Sequence, residues 1–363
     1  MSNLNQDLTT LISARDSMKS ALENKGQAVN TDIRTYANAI SNISSGGGIT
    51  TILNVYGNSA SVNNSTIIFT NGYYVQDDTK FGDSTFSSIP NGLIFSNVTN
   101  FYSMFYNCVN LVEVSNIDTS NGMNFRSLCS ECSNLISVSN LNFTNSRTST
   151  WVFFNCVNLN SITNVDFNMP FCTHTNSMFD NCYNLFNIPD ISLVNCEYTR
   201  SMFWNCFNLT SVPNITTSNR LWYTTRMFQG CTNITTLSLF DVSGVNEAGE
   251  MFDNCFNLVS VPNFNFSTLT NLQSAFYNCY NLTTVPQFYA PNLLNIRKTF
   301  AYCNNLSNAS IQNIINICLN ANIPSANKNL MTNNSDSPFY KTNITNSSYS
   351  NRLSALSAAG WSY

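Results

Sequence analysis

Cysteine is the residue type in this 363-residue chain with the greatest capacity for chemistry, since its thirteen copies could form disulfides or bind a metal. Nine of them recur every 24 to 26 residues: Cys108, Cys132, Cys156, Cys182, Cys206, Cys231, Cys255, Cys279 and Cys303. Side chains at one position of a repeat point in parallel directions, which suit a disulfide poorly. We therefore predict free thiols that pack as small buried hydrophobes.

The other chemistry-bearing residues do not combine into a site. Cys129-Ser-Glu-Cys132 has no second pair and no nearby histidine, so it is a weak zinc motif. His174 is the single histidine, and its sequence neighbours resemble no nucleophilic site. Asp180 and Asp253 share a repeat position but stand three repeats apart, roughly 14 Å by strand spacing, which is too far for a glycosidase pair. The sequence predicts a non-enzyme without catalytic residue, cofactor or metal site.

The unit that carries the cysteines reads Met-Phe-x-Asn-Cys-x-Asn-Leu. It is complete at Met104–Leu111, Met178–Leu185, Met202–Leu209 and Met251–Leu258, and near copies end at Leu135, Leu159, Ile234, Leu282 and Leu306. A fixed period of this length predicts a solenoid, in which each unit buries its apolar face only by stacking on its neighbours. We expect an α/β repeat fold with one helical turn and one parallel strand of three to five residues per unit, stacked at about 4.8 Å.

Two further columns of the repeat have a structural interpretation. Proline often follows the strand residue, at Pro189, Pro213, Pro262 and Pro286. Because proline cannot donate to a ladder, we expect each strand to end there. Asparagine precedes the repeat leucine in all nine units: Asn110, Asn134, Asn158, Asn184, Asn208, Asn233, Asn257, Asn281 and Asn305. We predict an inward-facing structural ladder that bonds backbone groups and its own members.

The two x positions of the unit lie three residues apart, and we expect both on the outer side of the turn. Aromatic residues recur there: Tyr183, Trp204, Phe207, Phe256, Tyr277 and Tyr280. An exposed apolar stripe often marks a contact site, so these six are the candidate binding residues. The alternative is that the rings stack on one another as a packing ladder.

The N-terminal segment has helical periodicity over residues 4–24 and 32–42, with Gly26 between. The candidate oligomerisation or docking residues are Leu4, Leu8, Leu11, Met18, Leu22, Ile33, Tyr36 and Ile40. The heptad spacing of the first five indicates a short coiled coil, and the expected docking role would use it as a trimer. The alternative is a helical hairpin packed on the neighbouring region.

Four regions follow from these patterns. Residues 1–45 form the helical docking segment, and residues 46–84 form a Gly-rich linker and a small β region with an Asn71-Gly72 turn. Residues 85–306 form the solenoid. Residues 307–363 form the C-terminal cap, with helices at 311–318 and 352–359. The β region is either a small sheet or a cover for the first repeat.

Composition excludes several classes of function. Charged residues are 9% of the chain and the net charge is −4, so nucleic-acid binding has no electrostatic support. No apolar run is long enough to span a membrane. The first residues lack the basic and apolar regions of a signal peptide, so we expect a protein made in the cytoplasm and not secreted by that route.

The repeat Phe-x-Asn-Cys-x-Asn-Leu-x-x-Val-Pro-Asn resembles the BspA-like class of leucine-rich repeats over residues 104–306. Such repeats are binding scaffolds in bacterial surface adhesins and in phage virion proteins. Residues 8–40 resemble the N-terminal segment of phage tail and fibre proteins. Together the resemblances imply a virion protein of a tail fibre or baseplate, docked to other virion proteins and bound to a host surface glycan or protein. The alternative is a bacterial surface adhesin or a protein–protein interaction module at the cell surface.

Overall fold

The computed structural model describes residues 51–55, 58–63, 66–71, 87–89, 93–115, 117–324 and 358–360. The docking segment at 1–45, with all eight of its candidate residues, lies outside these ranges. So does most of the helix predicted at 352–359. Those expectations remain predictions.

A four-stranded sheet precedes the repeats. Its strands are β1 (Thr51–Val55), β2 (Asn58–Asn63), β3 (Thr66–Asn71) and β4 (Leu93–Asn97). β1, β2 and β3 pair antiparallel, and β4 joins β3 in parallel. The buried ring of Phe95 on β4 lies 6.3 Å from the ring of Phe101. The sheet is therefore continuous with the first repeat through β4.

The repeats form a stack of coils, which we number 1 to 9 by the cysteines Cys108 to Cys303. Six short strands belong to them: β5 (Glu113–Val114), β6 (Ser137–Ser139), β7 (Ser161–Thr163), β8 (Phe167–Asn168), β9 (Ile191–Ser192) and β10 (Ile215–Thr216). β5, β6 and β7 make one parallel sheet, and β8, β9 and β10 make another. Single parallel bridges continue a third ladder from Asn100 to Asn295. Each coil therefore bonds to the next along more than one edge.

The expected helical turn is wrong, because the Met-Phe-x-Asn-Cys segments form tandem turns instead. In coil 5, the N–H groups of Ser201, Phe203 and Asn205 donate to carbonyls of the following coil at 2.8 to 3.0 Å. The N–H groups between them, such as those of Met202 and Trp204, donate three residues back within the same coil. Every second N–H group of the turn therefore bonds to the next coil. In an α-helix, all of these bonds would lie inside the segment.

Left-handed backbone makes the alternation possible. Each coil has two residues with positive φ, four positions apart: 103 and 107, 127 and 131, 151 and 155, 177 and 181, 201 and 205, 226 and 230, 250 and 254, 274 and 278, and 298 and 302. The second is the asparagine before the repeat cysteine in most coils, and Gly230 takes its place in coil 6. Asparagine and glycine are the residues that enter this conformation most readily.

The strands are two or three residues long in the coils, so only β6 and β7 reach the three to five residues expected. Coils 1 to 3, which carry β5, β6 and β7, have serine or threonine after the strand valine or isoleucine. Coils 4 and 5 have Pro189 and Pro213 there, and no strand forms at that place in the described structure. Coil 6 has Ser238 there and also forms no strand, so proline alone does not explain the missing ladder. Coils 7 and 8 form the single bridge Ser260–Thr284 before their prolines, in agreement with a ladder that ends at proline.

The core contains two columns that run along the stack. Phenylalanine rings of successive coils stack nearly parallel at 5.2 to 5.5 Å between centroids: Phe153, Phe179, Phe203, Phe228, Phe252, Phe276 and Phe300. Beside them, each repeat cysteine from Cys132 onward directs its thiol to a backbone carbonyl of the preceding coil at 2.9 to 3.2 Å. The cysteine column therefore fills space and bonds coil to coil.

Helix α1 (Asn308–Asn320) lies against the last coils. Its N-cap Ser307 accepts a bond from the N–H of Ser310, and the Ser310 hydroxyl donates to the carbonyl of Thr283 in coil 8. Ile311, Ile314, Ile315 and Cys318 are buried, as the predicted periodicity requires. The helix covers apolar surface that a further coil would otherwise bury.

Candidate binding surface

The structure places the six candidate binding residues in two columns. Tyr183, Phe207, Phe256 and Tyr280 occupy the second x position and are exposed. Trp204 and Tyr277 occupy the first x position and are half-buried. Residues three apart in a helix would share one face. In the tandem turns the two columns differ in exposure, so the six residues do not form one stripe.

The exposed rings pair with one another. Tyr183 stacks on Phe207 with 4.9 Å between ring centroids, and Phe256 stacks on Tyr280 with 5.4 Å. Thr232 of coil 6 separates the two pairs in the column. Within a pair the facing ring surfaces cover each other, so ring edges and outer faces remain for a partner. The rings are therefore both stacked on one another and exposed, and their role in binding stays a prediction.

The half-buried rings have other partners. The guanidinium of Arg226 lies over the Trp204 ring at 5.7 Å from its centroid, and Tyr277 meets Tyr302 edge to face at 5.3 Å. A cation over an indole face is an attractive contact. One face of Trp204, a candidate binding residue, is thus covered by an arginine of the neighbouring coil.

Sequence reasoning missed a second exposed apolar column, at the residue after the repeat leucine. Val112, Ile136, Phe186 and Val259 occupy it, and Phe186 is 54% exposed. Together with the second x column they form the apolar band: Val109, Val112, Ile136, Tyr183, Phe186, Phe207, Phe256, Val259 and Tyr280. The sequence did contain an indication that this position is exposed, because the position holds the polar residue threonine in coils 5, 6 and 8.

The asparagine ladder runs through this band. The side chain of Asn208 donates to Oδ1 of Asn184 at 3.2 Å, and Asn281 donates to Asn257 at the same distance. In coil 2, Asn134 donates to the carbonyl of Val109 instead. All nine members are exposed, so the expectation of an inward column is wrong. The inward direction at this bend is taken by the neighbouring leucine, which leaves the asparagine to bond along the surface.

Two acidic side chains lie buried in the first x column. Burial raises the pKa of Asp180 to about 7 and that of Asp253 to about 6. Asp253 accepts a bond from Gln229 at 2.7 Å, while Oδ1 of each aspartate has no hydrogen-bond partner among the described residues. Desolvation favours the neutral carboxylic acid in both cases. They titrate near neutral pH.

The cysteines do not form a reactive site. All thirteen are free and buried. Burial raises the pKa of the thiols of the buried column from Cys132 onward, and raises the pKa of Cys196 to about 12. A raised pKa suppresses the nucleophilic thiolate. Among the residues that the structure describes, no three His, Cys, Asp or Glu side chains lie close enough to hold a metal ion. His174 stacks on Tyr198 of the next coil at 4.6 Å between ring centroids, and its Nδ1 lies 2.7 Å from the hydroxyl of the adjacent Thr173.

Comparison with known families identifies the class of protein that this geometry represents. The family described as "Mycoplasma protein of unknown function, DUF285" matches residues 84–192 and 222–330. The chain belongs to this family. The predicted BspA-like leucine-rich-repeat class agrees with it, whereas the predicted phage tail segment has no counterpart in the comparisons.

Two solved structures are similar to the chain. A leucine-rich repeat protein of T. pallidum is 17% identical, with coverage of 75% of this chain and 98% of that one and a TM-score of 0.29. A leucine-rich repeat protein of Eubacterium ventriosum is 13% identical, with coverage of 68% and 92% and a TM-score of 0.25. No curated protein matches the chain. In the described part of the chain, no helix has the length and hydropathy needed to cross a membrane.

Proposed function

We propose that the chain is a BspA-type recognition module that works at a cell surface and binds a protein partner through the apolar band. The observation that carries this proposal is the band itself. Its members are exposed although the phenylalanine, cysteine and leucine columns already fill the core. Exposed apolar residues in adjacent columns of a rigid scaffold are typical of protein contact surfaces.

Rigidity supports the same function. The Tyr183–Phe207 and Phe256–Tyr280 stacks hold these side chains in place before any partner arrives. Preorganised aromatic side chains lose little conformational entropy on binding. The surface asparagines between the two columns add donors and acceptors that suit the polar part of a protein interface.

Incorporation into a phage particle is the other role that the sequence indicates. It depends on the N-terminal segment and on a trimer, both of which involve residues outside the described ranges. The family comparison favours the surface role, so the proposal takes that role.

The test uses a triple variant, Phe186→Thr, Phe207→Thr and Val259→Thr. Threonine already occupies the same columns, at Thr210 and Thr232, so the coils tolerate it. Labelled protein is added to a panel of intact bacterial and animal cells. We expect saturable binding that protease treatment of the cells removes, and that the variant weakens by at least about tenfold, ~1.4 kcal/mol.

The matched control is Leu239→Thr, which removes an equally apolar side chain that is 67% exposed outside the band. It should bind like the parent chain. Undiminished binding by the triple variant, or binding that survives protease, contradicts the proposal. Thermal unfolding of each variant establishes that the coils remain folded.

A further inference from the structure

A cleft of about 630 Å³ opens on the side of the first three coils. Ser127 and Ser130 of coil 2 line its floor. Tyr106 of coil 1 stands on one side, and Trp151 and Phe154 of coil 3 stand on the other. None of these residues belongs to the apolar band, so the cleft is a separate surface.

The cleft arises where a serine stands between two aromatic residues of one column. The first x position reads Tyr106, Ser130 and Phe154 in coils 1 to 3. In the core, rings of successive coils lie 5.2 to 5.5 Å apart, so side chains two coils apart are separated by about twice that distance. Stacked rings have centroids about 4.5 to 7 Å apart. The space above Ser130 therefore has the thickness of one additional ring with an aromatic neighbour on each side.

Polar groups at the cleft favour a hydroxylated ring over an aromatic one. Serine hydroxyls on the floor can both donate and accept. The Glu131 carboxylate lines the cleft as an acceptor and is held by the Asn155 side chain, whose nitrogen lies 3.1 Å from both carboxylate oxygens. The Arg126 guanidinium supplies donors from its place over the Trp151 ring, 4.6 Å from the centroid. A sugar presents hydroxyls to such groups and a flat C–H face to the rings.

Tryptophan is an unusual residue for the backbone conformation at position 151. Its φ is 59°, in the left-handed region, and its side chain is 38% exposed. Coils 1, 2, 4, 5 and 8 place serine there: Ser103, Ser127, Ser177, Ser201 and Ser274. Coils 6, 7 and 9 place the long side chains of Arg226, Glu250 and Lys298 there, so Trp151 is the one aromatic residue at this position among the nine coils. Positive φ is unfavourable for bulky residues. Strain that the core does not require marks a candidate functional position.

We propose that this cleft binds a single pyranose unit of a glycan, stacked between the rings of Tyr106 and Phe154. Ser127, Ser130, Glu131 and the Arg126 guanidinium that covers Trp151 are available to its hydroxyls. The proposal does not depend on the protein-binding function of the apolar band. The chain would then have two recognition surfaces, one for protein and one for carbohydrate.

The experiment is saturation-transfer NMR on the full chain with free glucose, galactose, N-acetylglucosamine and N-acetylneuraminate, and with N-acetyltyrosinamide as an aromatic probe. Two variants remove the cleft in opposite ways. Trp151→Ser replaces one wall with the residue common at that position. Ser130→Phe fills the gap with the ring that Phe154 supplies in the next coil. Trp222→Ser, an exposed tryptophan of coil 6, is the matched control.

We expect at least one sugar to bind saturably, and both cleft variants to weaken it by at least about tenfold, while the control binds normally. The melting temperature of Trp151→Ser should change little, because serine occupies this left-handed position in five other coils. The proposal is overturned if no sugar binds, if N-acetyltyrosinamide is the only probe that binds, or if folded Ser130→Phe binds like the parent chain. Should Ser130→Phe fail to fold, unchanged sugar binding by Trp151→Ser overturns it.

Discussion

The thiol of Cys206 donates a hydrogen bond to the backbone carbonyl of Phe179 in the preceding coil, with 3.1 Å between Sγ and oxygen. The same carbonyl also accepts the N–H of Cys182, at 3.1 Å. One buried carbonyl thus uses both of its lone pairs, one within its coil and one between coils. The repeat cysteine is small enough for the core and still supplies a donor.

This bond predicts a ranking of substitutions at position 206. Cys206→Ala should lower the free energy of unfolding by about 1–3 kcal/mol, because it removes the donor and leaves a small cavity. Cys206→Ser keeps a donor of similar reach and should cost less. Urea unfolding followed by circular dichroism measures both. Equal losses for serine and alanine would show that the bond adds nothing to stability.

The left-handed turns predict a contrast between two asparagines three residues apart. Asn205 has φ 58° and its side chain donates to Asn181 at 2.9 Å, whereas Asn208 is exposed. Asn205→Ala should lower the unfolding free energy by about 1–2 kcal/mol, since alanine disfavours this conformation. Asn208→Ala should change it by no more than about 0.5 kcal/mol, as is usual at the surface.

Thermal unfolding of the two variants checks this contrast, and Asn205→Gly is the control. Glycine accepts positive φ without strain, and Gly230 occupies the same position in coil 6. The glycine variant should therefore be more stable than the alanine variant. If Asn208→Ala is the more damaging change, the surface ladder contributes more than the backbone conformation.

Asp180 predicts a pH dependence of stability. Its folded pKa is about 7, raised by burial from an ordinary value near 3.8, so the folded chain retains a proton that the unfolded chain releases. Stability should be unaffected below pH ~4 and fall as the pH rises toward 7, because the unfolded state then binds fewer protons. A tenfold change in the protonation equilibrium corresponds to about 1.4 kcal/mol.

Asp180→Asn is the variant that isolates this effect, since it keeps the shape without the titrating proton. Unfolding free energies measured from pH 4 to pH 8 should decline less for the variant than for the parent chain. The pH dependence of stability that remains in the variant is expected from Asp253, whose pKa is raised to about 6. Parallel pH profiles for the two proteins would exclude a buried neutral Asp180.

The repeat period and the buried columns could be predicted from the sequence because the side chains that fill the core carry that information directly. The conformation of the turn could not, since a three-residue spacing such as Phe105 to Cys108 fits a helical turn and a tandem turn equally well. Asparagine before the cysteine was the available indication of left-handed backbone. The spacing of the apolar residues, which also fits a helix, led to the helical prediction instead.

The candidate site was predicted only in part for a related reason. Tyr183 and Phe207 were expected at the surface, and they lie there, but a helical turn would have placed Trp204 beside them. Phe186 was passed over because it follows the leucine that ends the motif. The cleft could not be predicted from reactive residues, because it depends on the small side chain of Ser130 between two aromatic residues.

The alternating turns give the stack a direction. In the tandem turns the inter-coil N–H bonds run from each coil to the one after it, from Ser103 through Ser274, so those amide dipoles all point toward the same end. Every junction between coils repeats the same set of bonds, in which the tandem-turn amides donate to the following coil and the cysteine thiols donate to the preceding one. A gene that gains or loses one whole unit would therefore rejoin with its bonds matched. The number of coils, and with it the reach of the surface, is open to change in a way that the shape of a single coil is not.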